Sequence, residues 1–236
     1  MFIFKLFIFM WSVLLCCATC EENSTGPSTK SLINKYETDA SSSRTLQQDD
    51  RTQMQAWSDE YQVRRLDVCV KYRLQMLKHQ EHNFKSDGNV KWVDCLYAHR
   101  KDIRRSSSLY HEEERECLRA TTSKDAGQRE DVEQWEKQIT KWRKGYRYLI
   151  NLCHDENPGN QHMAELCLVQ YMQSDKYDEL IQRLLLLKQG SMTDLQAYYD
   201  ASLVDLEECL KTTLSKYLDR VRAVMSVLNK CYSIIT

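Results

Sequence analysis

Beyond residue 50, apolar residues recur at every third or fourth position along most of the chain. In the segment VEQWEKQITKWRKGYRYLINLC, residues 132–153, seven residues form one stripe: Val132, Trp135, Ile139, Trp142, Tyr146, Leu149 and Cys153. This spacing follows the coiled-coil heptad over three repeats, so we predict a long helix whose stripe packs against another helix. Gly145 lies within this helix, where either a close helix contact or a local bend would explain a residue that costs about 1 kcal/mol relative to Ala.

Similar spacing predicts four further helical segments: about Asp50 to Phe84, 92–117, about Gln161 to Lys188, and 203–228. Glycine-containing turn signals separate the five segments at 86–89, 124–128, 156–160 and 188–191. Short turns make consecutive helices antiparallel. The pattern therefore predicts an all-α fold, an elongated antiparallel helical bundle with coiled-coil-like packing and disulfides.

The composition agrees with this fold and narrows the function classes. With 2 Pro and 6 Gly in 236 residues, the chain has few of the turn residues that a strand-rich fold needs. Hydrophobic residues make up 42% of the chain, enough for one core without a second domain. The formal net charge of −1 argues against a nucleic-acid binder.

The first twenty residues, MFIFKLFIFMWSVLLCCATC, predict a cleaved signal peptide. The apolar run after Lys5 is shorter than the about 20 residues that a bilayer requires. Ala18 and Cys20 suit the positions before a signal-peptidase cut, so the mature chain would begin at Glu21, and an uncleaved anchor is the alternative. We therefore expect a secreted, extracellular protein with no membrane span after cleavage.

The polar residues that follow divide the mature chain in two. Residues 21–50 are rich in Ser, Thr, Asp and Gln, which predicts a disordered stalk. Asn23 opens an Asn-Ser-Thr sequon and is the candidate glycosylation site. Residues 51–236 are then the disulfide-clamped helical bundle domain.

Seven of the ten cysteines lie beyond the signal peptide, and in an oxidising compartment most should be paired. An odd number leaves one thiol that is free or links two chains, unless cleavage after Ala18 retains Cys20 and makes eight. No Cys-x-x-Cys spacing occurs, which argues against a zinc or thioredoxin-like site. The disulfide candidates are Cys69, Cys95, Cys153, Cys167, Cys209 and Cys231.

The antiparallel arrangement constrains which cysteines can meet. Cys153 and Cys167 each lie seven residues from position 160, so they sit at nearly the same height on facing helices. The same counting places Cys209 within about 6 Å of Cys167 in height and Cys117 roughly 15–30 Å from most of the others. We predict one linked cluster of Cys153, Cys167 and Cys209, with Cys117 as the odd thiol.

The C-terminal segment ECLKTTLSKYLDRVRAVMSVLNKC carries Cys209, Thr212, Thr213 and Tyr217 and closes with Leu228 and Cys231. Together with the earlier cysteines, it resembles the tsetse EP-protein domain family of secreted fly proteins. The resemblance spans Cys69 to Cys231. It implies an extracellular, helical and disulfide-rich insect protein, and it supplies no catalytic residues.

Few residues are candidates for catalysis or metal binding. His79 and His82 could share a helix face, but the HExxH order of zinc proteases is absent. His154, Asp155 and Glu156 stand beside a Pro-Gly turn and are interpreted as turn residues. No GxSxG, P-loop or GxGxxG motif occurs, so we expect no catalytic residues, no metal and no cofactor.

Two function hypotheses remain. The first is a non-enzymatic secreted protein that binds an extracellular protein or a glycan, or coats a surface, and the odd cysteine permits a disulfide-linked homodimer. The basic segments 99–105 and 141–148 would form a heparin-like binding surface if they aligned on neighbouring helices. The alternative is a carrier of a small apolar ligand, because 13 Tyr and 5 Trp could line a cavity between helices.

Overall fold

A computed structural model describes residues 28–86, 88–122 and 125–234. They form six helices and no strand: α1 (Thr29–Phe84), α2 (Val90–Ala98), α3 (Arg100–Thr122), α4 (Asp125–Glu156), α5 (Gln161–Ser174) and α6 (Tyr177–Ile234). The predicted signal peptide, Asn23 and residues 21–27 of the predicted stalk lie outside the described residues. The predicted all-α fold is confirmed.

The helices form three long arms: α1, then α2 to α4, then α5 and α6. The first and third arms are parallel, because Lys35 pairs with Asp178 at one end and Lys71 pairs with Glu207 farther along, each at 2.6 Å. The second arm runs in the opposite direction against both. The 58 residues of α6 alone extend about 87 Å, so the bundle is elongated, as predicted.

Helices α3 and α4 lie end to end along α6. Glu113 of α3 pairs with Arg220, whereas Ile139 of α4 packs in one cluster with Ile181. As residue numbers rise through α3 and α4, the numbers of the α6 residues that they contact therefore decrease. The turn predicted at 124–128 does not reverse the chain, and five predicted segments become three arms.

Capping side chains fix the two turns that do reverse the chain. The Asn89 side chain accepts the backbone N–H groups of Lys91 and Trp92, and the Asn160 side chain accepts that of Met163. Gly88 and Gly159, directly before these caps, have φ angles of +84° and +78°. Such a cap is worth about 1 kcal/mol, and the turn signals at 86–89 and 156–160 are confirmed.

The turn predicted at 188–191 is wrong, because Gly190 lies inside α6. The break falls instead between α5 and α6, where Lys176 takes a φ of +50°. Residues on both sides of Gly190 are buried in the bundle, including Lys188 and Met192. Their packing outweighs the helix propensity that glycine lacks.

The predicted disordered stalk is wrong for residues 29–50, which form the first part of α1. Tyr36 is buried and its ring lies 6.4 Å from the ring of Tyr146, while Leu32 and Ile33 pack on the same cluster. These few apolar residues are separated by many Ser, Thr and Gln residues, so the sequence shows no clear amphipathic helical pattern in this segment. They cover α4 and α5, and the helical domain therefore includes residue 29.

The stripe predicted in α4 faces the core. All its members are buried except Trp135, which is partly buried and donates to the Ser191 hydroxyl at 3.0 Å. A Cβ added to Gly145 would lie 2.7 Å from the hydroxyl oxygen of Tyr177, whose backbone carbonyl accepts the Trp142 indole N–H. A close contact with this tyrosine therefore accounts for the glycine.

In the part of the chain that the structure describes, three disulfides crosslink the bundle: Cys95–Cys231, Cys117–Cys209 and Cys153–Cys167, with Cα separations of 5.9, 5.8 and 5.7 Å. The predicted closeness of Cys153 and Cys167 is confirmed. The assignment of Cys117 as the odd thiol is wrong, as is the link between Cys209 and the Cys153 pair. The height estimate for Cys117 assumed that the chain reverses near residue 124, whereas α3 and α4 continue in one direction.

The unpaired cysteine among the described residues is Cys69, which was predicted to form a disulfide. It is buried in the same cluster as Cys117 and Leu210. Because its thiol is enclosed by the bundle, it is not positioned to link two chains.

Candidate interaction surfaces

An apolar stripe runs along the outer face of α1. We call Val63, Leu66, Val70, Leu74 and Leu77 the outer stripe, and each of these residues is between 46% and 62% exposed. The opposite face of α1 contributes Tyr61, Cys69, Tyr72 and Met76 to the core. A helix that needs to cover only one side of a bundle requires one apolar face. The outer stripe is therefore a candidate interaction surface.

Charged residues border the outer stripe. Helical spacing places Glu60, Asp67, Lys71 and Lys78 along one side of it. Asp59 and Glu81 continue the line of the stripe beyond its two ends, so acidic residues limit it to residues 63–77.

A second surface is a groove of about 720 Å³ between α1 and α4, which we call the cationic groove. Five cationic and two acidic side chains contribute to its lining. Its charged lining residues are Arg51, Arg129, Lys137, Lys141, Lys144, Glu133 and Glu136. Its uncharged lining residues are Gln47, Met54, Gln55 and Thr140.

The acidic residues of the groove do not balance its cations. Glu136 is buried and already pairs with Arg51 and Lys188 at 3.0 and 3.3 Å, which leaves Glu133. Among the described residues, Lys137 and the other two lysines of the groove have no carboxylate within 4.0 Å. The groove therefore carries excess positive charge.

Arg143 lies beside the groove and adds to this charge. One of its terminal nitrogens, Nη2, donates to Oε1 of Gln47 and to Oγ1 of Thr140, whereas Nη1 is buried without an acceptor. Burial lowers the pKa of Arg143, and the positive charges of Arg44 and Arg51 lower it further. No local anion satisfies this guanidinium fully.

Under the groove, one charged residue from each arm meets inside the bundle. Lys188 is 3% exposed, and its Nζ lies 2.6 Å from Oδ2 of Asp50 and 3.3 Å from Oε1 of Glu136. We call these three residues the polar layer. It separates the apolar cluster around Ile139 from the cluster around Val132. An ionic layer of this kind favours one register of the arms, since a shifted register would bury unpaired charge.

A second buried carboxylate lies near the unpaired cysteine. Glu114 is 2% exposed and accepts two hydrogen bonds from the guanidinium of Arg73, at 3.2 and 2.9 Å. Burial raises the pKa of Cys69, and the negative charge of Glu114 raises it further. Burial likewise raises the pKa of Tyr110 well above its ordinary value. Cys69 thus stays protonated near neutral pH, which makes it a poor nucleophile.

The histidines noted in the sequence do not come together with other ligands. His79 and His82 are exposed near the end of α1, and His154, Asp155 and Glu156 are exposed in the last turn of α4. In the described ranges, no group of three or more His, Cys, Asp or Glu side chains is arranged to hold a metal ion.

The two basic segments do not form a shared surface. Segments 99–105 and 141–148 belong to the same arm and are separated by about 40 residues, or roughly 60 Å. The cationic groove instead combines α4 lysines with Arg51 of α1 and Arg129 at the start of α4. Sequence reasoning missed Arg51 and Arg129, because neither lies in a basic run.

Within the described residues, none of the helices has a stretch that is long and apolar enough to cross a bilayer. The chain matches no protein-family model, no curated protein and no solved structure.

Proposed function

We propose that this is an extracellular, non-enzymatic protein that acts by association, and that the outer stripe docks a second copy of the chain. The three intramolecular disulfides fit an extracellular location. The observation that carries the proposal is the outer stripe itself, an apolar face of α1 that the bundle leaves exposed although the opposite face is already packed.

The spacing of the stripe suits an antiparallel pair of α1 helices. When the two-fold axis passes near Val70, Val63 of each copy faces Leu77 of the other, and Leu66 faces Leu74. Three–four spacing over 14 residues gives a seam of about 21 Å, the geometry of knobs-into-holes packing.

Charge complementarity supports a second copy as the occupant. In the same alignment and on the same side of the stripe, Glu60 comes within two residues, about 3 Å, of the height of Lys78, and Asp67 comes equally near the height of Lys71, which also pairs with Glu207 of its own chain. Asp59 would face Glu81 at each end of the seam, which confines the contact to residues 63–77. So short a seam falls at the low end of interface sizes, and we expect a noncovalent dimer with a dissociation constant in the micromolar range.

Sedimentation velocity over a range of protein concentrations tests this proposal. Replacing Leu66 and Leu74 by Gln should weaken dimerisation at least tenfold, because the two symmetry-related Leu66–Leu74 contacts across the seam are lost. The matched control replaces Leu186 and Leu180 by Gln, since these residues are 68% and 44% exposed on a part of α6 that lies beside residues 35–50 of α1, and should dimerise like the unmodified chain.

A gain-of-affinity variant gives a second test. Glu81→Lys converts the repulsion with Asp59 into attraction at both ends of the seam, so this variant should dimerise more tightly. An unmodified chain that stays monomeric well above micromolar concentration would refute the docked second copy. Equal weakening by the control pair would refute the assignment to the outer stripe.

The alternative of a small-ligand carrier has less support. The buried tyrosines fill the layers of the core; for example, Tyr61 stacks on Tyr199 with ring centroids 4.8 Å apart. The grooves around His79, the cationic groove and the groove around Cys167 all open to solvent. Kinship with the tsetse EP-protein domain family stays a prediction.

A further inference from the structure

We infer that the cationic groove between α1 and α4 is a binding site for a sulfated glycan chain. The site is separate from the outer stripe, because its residues on α1 are 47–55 and those of the stripe are 63–77. Glycan binding in this groove is therefore a second activity, and it does not depend on the proposed self-association.

The cations of the groove form a line that suits a linear anion. Arg129, Lys137, Lys141 and Lys144 follow one side of α4 at intervals of eight, four and three residues, over about 22 Å. Arg51 faces them from α1 across the groove. A single small anion would contact one or two of these groups, whereas a chain with repeated sulfates could contact all of them.

The charge of the groove is local and not a property of the whole molecule. The chain carries a formal net charge of −1, yet five cations against two carboxylates line this groove. Lys188 and Arg51 already neutralise one of those carboxylates, Glu136. A groove of one sign attracts a polyanion both by steering and by direct contacts.

The polar neutral residues favour a glycan. Gln47, Gln55 and Thr140 provide amide and hydroxyl groups that can hydrogen-bond sugar hydroxyls and sulfates. The groove is lined by no aromatic residue among those described, so it lacks the stacking platform on which proteins bind single-stranded nucleic acid. Sulfated glycans are also the polyanions of the compartment that the disulfides suggest.

The test is calorimetric binding of a heparin-derived octasaccharide to the full chain at physiological salt. Replacing Lys137, Lys141 and Lys144 by Gln should weaken binding at least tenfold. All three are exposed and Gln has a similar helix propensity, so the fold should be retained. The matched control replaces Lys101, Arg104 and Lys216 by Gln. These three cations are exposed and lie outside the groove, so the control should change the affinity for the octasaccharide by less than twofold.

Two comparison ligands separate sulfate recognition from general attraction to polyanions. Hyaluronan, which carries carboxylates and no sulfate, should bind at least tenfold more weakly than the octasaccharide. A single-stranded oligonucleotide of equal charge that binds as tightly as the octasaccharide would overturn the assignment of a glycan. An equal loss in the control triple variant, or no binding by the unmodified chain, would overturn the site.

Discussion

The two halves of the bundle are held together in different ways. Around α3, an apolar cluster that includes Tyr110 and Tyr217 joins the arms beside the buried Glu114, and the disulfides Cys95–Cys231 and Cys117–Cys209 crosslink the second arm to the third. Around α4, the polar layer interrupts the core, and the remaining disulfide joins the second arm to the third only across the turn, between residues 14 positions apart.

This difference indicates how each half fixes the register of its arms. In the α3 half, covalent bonds between residues 136 and 92 positions apart hold the arms in register. In the α4 half, a slip by one heptad would separate Lys188 from Glu136 and Asp50 and bury unpaired charges. The α3 half thus depends on crosslinks, and the α4 half depends on electrostatic specificity.

The largest expected effect comes from removing the long-range crosslink. Cys117→Ala with Cys209→Ala opens a loop of about 44 residues, because Cys95–Cys231 still closes the chain 22 residues away on each side, and should lower the free energy of unfolding by about 4 kcal/mol in the chain-entropy model. Cys153→Ala with Cys167→Ala opens a loop of 14 residues and should lower it by about 3 kcal/mol. Urea unfolding followed by circular dichroism measures both.

The comparison between the two disulfides also provides the control. Each variant replaces one bonded pair by two alanines, so the difference in loop length is the main variable. A larger loss from the Cys153–Cys167 pair would contradict the assignment of the long-range stabilisation to the α3 half.

The next effect concerns the polar layer. Lys188→Met leaves the buried Glu136 with Arg51 as its cation and the partly exposed Asp50 without one, and should lower the free energy of unfolding by about 3 kcal/mol. Replacing all three residues by apolar ones should restore much of the stability, since no buried charge then lacks a partner. Urea unfolding of the single and triple variants measures this difference.

An exposed lysine serves as the control for the polar layer. Lys176 pairs with Glu179 at 3.6 Å with both side chains more than 70% exposed, and Lys176→Met should change stability by less than about 1 kcal/mol. If the Lys176 and Lys188 variants were equally stable, the polar layer would not hold the α4 half together.

The smallest effect tests the close contact at Gly145. Gly145→Ala should lower stability by about 1 kcal/mol, because the new Cβ would meet the hydroxyl of Tyr177. In a Tyr177→Phe background the same substitution should raise stability by about 1 kcal/mol, since the nearest ring carbon then lies at an ordinary 3.7 Å. Thermal unfolding of the four variants forms a double-mutant cycle, and two effects of the same sign would exclude this contact as the reason for the glycine.

Much of the helical architecture could be predicted from local patterns. The α4 stripe, the turns at 86–89 and 156–160 and the Cys153–Cys167 pair depend on residues that are close in sequence. Predictions failed where distant packing decided the outcome. Gly190 continues a helix because its neighbours are buried, and residues 29–50 are helical because Tyr36 meets Tyr146.

By itself, the sequence determined that residues 132–153 and 203–228 are amphipathic helices and which face of each is apolar, because these properties repeat every three or four residues within one segment. It also indicated that an odd number of cysteines lies beyond the first twenty residues. Only the tertiary structure decided that α3 and α4 run in one direction, and hence that Cys117 meets Cys209 and Cys69 is left unpaired. The physical reason is that the direction of a chain after a break depends on which long-range packing buries more apolar surface, and no local pattern records that choice. The same packing set Arg51 of α1 opposite the lysines of α4 and left the outer stripe exposed.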